Sequence, residues 1–259
     1  MKPSDVTVTT LAGDQRRDLI TAALAARVHT TIVGASTLRV ALPDEFRKAS
    51  LDEARIAHAE GRDWSLVAIR REAGRVRLVY EDTLIARLRR DTDRIMYQVA
   101  IPAADLIDRF CTDADVPVTI DPIIGQIHIE GAGRSILDPT TSWQEIAALA
   151  AKLGGRAFSD GERIIVTTDA ALLAGNPTRI SDSSGAVTGD IDFTLDVAQP
   201  NDRAALTVAP AWQIDAGSVV DVHGTGPADG RWVVSEWTRD LPQAGAGRVR
   251  LTRPRTLGA

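Results

Sequence analysis

Residues 226–255 (GPADGRWVVSEWTRDLPQAGAGRVRLTRPR) constrain the fold more than any other stretch, because turn chemistry alternates there with bulky and branched residues. Pro227, Asp229 and Gly230 fix φ or permit φ > 0, and Trp232, Val233, Val234 and Trp237 suit a pleated surface. The pattern predicts a tight turn, a long strand over 231–241, a loop, and a closing strand over 248–252. A strand pair of this kind closes a small β-barrel; it is not a catalytic loop.

The same reading extends toward the N-terminus. Leu24, Ala26, Val28, Thr30 and Ile32 alternate with more polar positions, residues 38–42 follow a turn at 34–36, and 66–69 pair with 76–80 across 71–74. A short helix over Thr83–Arg90 follows; its Arg87, Arg89 and Arg90 read as solvated cations at a helix C-terminus rather than a binding patch. The middle changes character. Pro102 suits a first helical residue, Leu106, Ile107, Phe110 and Cys111 form one stripe, and Pro117 stops the helix. A second helix carries a capping box, Ser142 with Glu145, and a stripe of Ile146, Leu149, Ala150 and Leu153 ended by Gly154 and Gly155. Short strands at 118–120 and 126–129 and a hairpin of 156–159 with 163–167 across Asp160 and Gly161 complete an α+β unit. Residues 171–190 are rich in Gly, Ser, Asn and Pro and read as a linker or exposed loop, and strands return at 193–197, 205–208 and 219–222. The expected organisation is a β-barrel-like module over 1–92, an α+β domain over 93–170, the linker over 171–190, and a second β-barrel-like module over 191–259: mainly β with an α+β insertion.

A chain of 259 residues can bury an adequate core without disulfides, and its single cysteine, Cys111, forbids an internal one. Its place on an apolar helix stripe predicts a buried, inert thiol. A net charge of −5 argues against a nucleic-acid or membrane surface. No N-terminal apolar core and no long apolar run is present, so neither a signal peptide nor a membrane span is expected, and the chain should be made in a cytoplasm and remain soluble.

Catalytic patterns fail on context. Asp190-Ile191-Asp192-Phe193-Thr194 matches the Asp-x-Asp-x-Thr signature of haloacid-dehalogenase-type phosphatases, in which the first carboxylate attacks phosphorus and the second is the general acid. Here it follows a Ser/Gly loop instead of opening an α/β domain, and no lysine follows Lys152 to stabilise the phosphoryl charge. An alternating strand of Ile191, Phe193, Leu195 and Val197 explains the residues better. The glycines of 224–230 have the wrong spacing for a dinucleotide fingerprint and precede a strand, not a helix. His58-Ala59-Glu60 begins a zinc-deaminase motif that one cysteine cannot complete, and His29, His58, His128 and His223 have no mutual metal-ligand spacing. Trp64, Trp143, Trp212, Trp232 and Trp237 could form a sugar-stacking platform, but in a chain with 4% aromatic residues they are expected to anchor cores or an oligomer interface. No catalytic, cofactor-binding or metal-binding residues are expected.

Three segments carry a family resemblance. Residues 226–255 hold a Gly-x-Trp-Val strand followed by a basic strand with Leu251 and Pro254. Residues 34–42 (GASTLRVAL) lead to 63–90, where Tyr80, Glu81, Asp82, Leu88 and Arg89 mark the hairpin running into a helix. Residues 142–166 form a helix-plus-hairpin unit. In this order they resemble the tail-tip, or baseplate, hub proteins of tailed bacteriophages and related contractile machines. The resemblance implies a non-enzymatic structural virion protein at the tail tip, a homotrimer beneath the hexameric tail tube or distal tail ring. It would neighbour the tape measure protein and carry a central spike or fibre; any cell-wall hydrolase would belong to another polypeptide. The alternative is a carbohydrate-binding baseplate module for host recognition.

Overall fold

The computed structural model describes residues 7–9, 24–44, 55–91, 100–129, 140–181, 183, 187, 191–194, 201–209, 214–241 and 246–254. Strands dominate, and most belong to one large sheet. In its N-terminal half, β1 (Thr7–Thr9), β2 (Ala25–Thr31), β3 (Thr37–Pro43), β4 (Ile56–Ala59), β5 (Arg62–Glu72) and β6 (Arg75–Asp82) lie in the order β1-β4-β5-β6-β3-β2, all neighbours antiparallel. Period-two alternation sends Ala26, Val28, Leu38, Val40, Leu42, Val76, Leu78 and Tyr80 to one face, where they pack with Trp64.

β6 runs straight into helix α1 (Thr83–Arg90), as the sequence predicts. The Asp82 carboxylate caps it, accepting from the Leu84 and Ile85 amides. The central unit follows: β7 (Ile101–Pro102), α2 (Ala103–Asp113), β8 (Val118–Ile120), α3 (Pro122–Gly125), β9 (His128–Ile129), α4 (Ser142–Lys152), β10 (Gly155–Ser159), β11 (Ile164–Thr168) and α5 (Asp169–Leu173). β10 and β11 form the expected hairpin, and β8 lies parallel to β11. The predicted stripe of α2 is buried against Ile146 and Ala150 of α4. Two expectations shift by one residue. Pro102 is the N-cap of α2 and pairs with His128 across β7 and β9, instead of opening the helix. The capping box of α4 is Thr141 with Gln144, not Ser142 with Glu145. Ser142 is then fully buried in the first turn, where its hydroxyl bonds the Asp91 carboxylate.

Residues 171–190 hold more than a linker. After α5 ends, β12 (Thr178–Ser181) pairs parallel with β15 (Val219–His223) and buries Ile180. β13 (Asp192–Thr194), β14 (Asn201–Val208), β16 (Gly230–Leu241) and β17 (Gly247–Pro254) complete the large sheet in the order β16-β17-β14-β13. Of the strand expected over 193–197, residues 195–197 lie outside the described residues.

β16 joins the two halves. Its first residues pair with β15, and from Glu236 to Leu241 it pairs antiparallel with β2 of the N-terminal half, while β17 occupies its other side. A register shift between Val234 and Glu236 makes Ser235 the extra residue of a bulge. The bulge changes parity, so Trp232 and Val234 on one side of it and Trp237 on the other all face the C-terminal core with Leu206, Val249 and Leu251. Leu241, further along the same strand, packs in the N-terminal core. Two separate closed barrels are therefore not what forms among the described residues. The edge of β2 is taken by β16, and both halves belong to one open path of strands from β1 to β13.

Candidate interaction site

Three units meet at one buried point. Ile32, Phe158, Ala216 and Val233 make a small core of their own, Val233 lying on the opposite side of β16 from Trp232. Beside it stands Arg62, the first residue of β5, only 4% exposed. Its guanidinium donates to Asp82 Oδ2 at 3.4 Å, to the carbonyl of Ser159 at 3.1 Å, and to the Asp215 carboxylate. Ser159 Oγ donates to the same Asp82 oxygen at 2.9 Å, so one carboxylate caps α1 with Oδ1 and receives on Oδ2 one bond from its own unit, Arg62, and one from the central unit, Ser159. Burial pushes the Asp82 carboxyl above its usual range, opposed by the Arg62 charge and by these hydrogen bonds. Two glycines permit this approach. A Cβ on Gly161 (φ +95°) would fall 2.6 Å from Arg62 Cγ, and one on Gly217 (φ +88°) 2.5 Å from the Phe158 ring. The node ties the three units to one another through a single guanidinium.

A cleft of about 590 Å³ is lined by Arg156, Arg203, Arg248 and Arg250 against only two carboxylates, Asp192 and Glu236. Alternation along β17 exposes Arg248 and Arg250 while Val249 and Leu251 are buried. Arg203 of β14 stands opposite Thr252, the next position in that row. Arg250 pairs with Glu236 at 3.0 Å, and Arg156 makes a two-pronged pair with Asp169. Arg203 and Arg248 have no ion pair among the described residues. Nearby, His29 of β2 bonds Thr238 Oγ1 across the seam at 2.9 Å. Burial holds its imidazole below the usual range, Arg39 and Arg250 pushing the same way and Glu236 against them.

The motif residues are scattered. Asp190 lies outside the described residues, and Asp192 is exposed on the short end strand β13, beside the arginine cleft. Residues 224–229 form a loop with a short 3-10 turn at Gly226–Ala228, its amides at Gly224 and Thr225 bound by the Asp229 carboxylate, and Gly230 already opens β16. His58 pairs with Asp63 and His223 with Asp221, and the described residues hold no cluster of three metal-ligating side chains. Burial, aided by Asp108, pushes the Cys111 thiol up to about 12, as an inert core cysteine requires. Arg89 pairs with Glu81 and Arg87 donates to the Asp115 carbonyl, so these two helix arginines are structural. Trp64, Trp143, Trp232 and Trp237 are buried, and Trp212 lies outside the described residues. Trp232 donates to the Ala228 carbonyl, takes Phe193 edge-on, and carries the Arg253 guanidinium 4.0 Å above its ring. Neither the Arg62 node nor the arginine row was anticipated from the sequence; the alternation Arg248-Val249-Arg250-Leu251 was the available signal for the second.

No protein-family model matches the sequence, and no curated protein matches it. Solved structures do. The 43 kDa tail protein of prophage MuSo2 from Shewanella oneidensis superposes with a TM-score of 0.67 at 10% identity, over 97% of each chain. A tail protein from Neisseria meningitidis MC58 gives 0.69 at 11% identity, over 96% of each. This chain has the fold of phage tail proteins. The tail-protein fold accounts for it from end to end, both halves of the large sheet and the central α+β unit included. The same fold extends to a type VI secretion component of E. coli described as similar to the T4 bacteriophage tail proteins gp27 and gp5, with a TM-score of 0.60 at 10% identity over 99% of this chain and 75% of that one.

Proposed function

We propose that this chain is a structural, non-enzymatic hub at the tip of a phage tail or tail-like machine. What carries the reading is the agreement with a phage tail protein over 97% of both chains. We read residues 1–92 and 191–259 as two β modules joined through β16 into one open sheet, 93–170 as the insertion between them, and 171–190 as the connection, which lends β12 to the second module. Symmetry supplies the physical logic. Two similar modules in each of three chains present six quasi-equivalent surfaces to a hexameric tail tube or distal tail ring, with the tape measure protein at the axis, and the trimer offers threefold symmetry to a central spike or fibre. The Arg62 node supports this, since a symmetry adaptor needs its modules held in fixed relation. The burial of Trp64, Trp143, Trp232 and Trp237 takes those four rings away from a carbohydrate-binding role.

A reconstruction of the intact tail tip without imposed symmetry tests the proposal. Three copies around the axis with both modules facing the ring are expected. Six equivalent copies, or peripheral copies off the axis, would overturn it.

A further inference from the structure

The arginine cleft is unusual for this chain. The molecule carries a net charge of −5, yet three guanidinia of the C-terminal sheet, joined by Arg156 of β10, line one cleft beside two carboxylates. The guanidinia of Arg203 and Arg248 have no hydrogen-bond or ion-pair partner among the described residues. Arg248, Arg250 and the position of Thr252, across from which Arg203 stands, are successive same-face sites. Such sites lie about 7 Å apart, the repeat at which an extended chain presents alternate side chains. Val33, an aliphatic side chain 65% exposed, lines the same cleft.

These features select among ligands. Asp192 and Glu236 lie on either side of the arginine row at the level of Arg250 and would repel a continuous phosphate backbone, and no described tryptophan is exposed on which a base could stack. Cations spaced at the strand repeat, mixed with two acids and an exposed aliphatic residue, match a protein surface, where arginine is enriched. We propose that this cleft is a docking site for an extended acidic segment of a partner protein, in which carboxylates four residues apart pair with Arg203 and Arg248 while an apolar residue covers Val33. Arg250, already shared with Glu236, flanks the site. The inference goes beyond the hub reading and does not rest on it.

The test uses the full chain and a fluorescein-labelled peptide alternating Glu and Thr, read by anisotropy at low ionic strength. The native protein is expected to bind with an affinity that falls as salt rises. Arg203→Glu/Arg248→Glu should weaken binding at least about tenfold, and Arg203→Gln/Arg248→Gln by less. Arg90→Glu/Arg109→Glu makes the same charge change on exposed helix positions of other units and should retain binding within about twofold. Thermal melts confirm that each variant is folded. Absence of peptide binding by the native protein, or equal loss in both reversal pairs, would overturn the proposal. So would tighter binding of heparin or duplex DNA through the same arginines, which would make this a polyanion site. Self-association in sedimentation, abolished by the Arg203/Arg248 reversal, would assign the cleft to a second copy of the chain and overturn it as well.

Discussion

Arg62 and Asp215 form an ion pair between residues 153 positions apart, and the same guanidinium reaches Asp82, which is 1% exposed. Removing the cation leaves a buried carboxylate without its partner. Arg62→Met is expected to cost about 3–5 kcal/mol of stability, measured by urea denaturation, because the loss of one member of a buried pair exposes the full desolvation cost of the other. Arg62→Met/Asp82→Asn should recover part of that loss, and Arg62→Lys should not restore the native value, since one ammonium cannot span acceptors on three units.

Gly217 meets the Phe158 ring with a backbone that ordinary residues avoid. Gly217→Ala combines a left-handed strain of about 1 kcal/mol with a steric clash, and thermal melting should fall accordingly. Phe158→Leu relieves the clash but not the strain. The double variant is therefore expected to lose less than the sum of the single losses, a coupling readable from a double-mutant cycle.

Trp232→Ala and Trp237→Ala should each lower stability by about 3–5 kcal/mol, as truncation of a buried aromatic does. Arg253→Ala should cost at least about 0.5–1 kcal/mol, since it removes the cation over the Trp232 ring together with the ion pair to Asp202 and the hydrogen bond to the Asp229 carbonyl. Unchanged melting in both tryptophan variants would place those rings outside the core.

His29 gives the seam a pH dependence. Its folded pKa is lowered, chiefly by burial, so the unfolded chain takes up a proton first as pH falls. The contribution is fully present above the ordinary histidine value of about 6.5 and is lost as pH falls from there through the folded value, with a slope of at most about 1.4 kcal/mol per pH unit. Denaturation midpoints followed from pH 7.5 to 5 should drop less in His29→Gln than in the native chain.

Local patterns were legible in the sequence, and long-range pairings were not. The alternation of β2, the span of α1 and the hairpin of β10 and β11 follow from neighbours in the chain. The one-residue slip from Ser142 to Thr141 in the cap of α4 reflects two adjacent hydroxyl residues, either of which could cap. The bulge at Ser235 disguises Trp232 and Trp237 as residues of opposite faces. β12 was hidden in a polar stretch because only Ile180 marks its buried side. Arg62 looked like any arginine at a turn, since its partners come from three distant segments. The arginine cleft was missed because same-face placement across β14 and β17 depends on their register, which the sequence does not display.

The strand shared by both halves also orders the molecule in time. Arg27 of β2 and Asp240 of β16 pair across 213 positions, so during synthesis the N-terminal sheet emerges with β2 as an unprotected edge and must wait for most of the chain before β16 covers it. Pairing at such separation is slow, and an open edge invites pairing with another nascent chain. Yield at high expression should therefore be governed less by the stability of the finished protein than by how long that edge stands open, and slower or cooler synthesis at lower chain density is the condition that favours it.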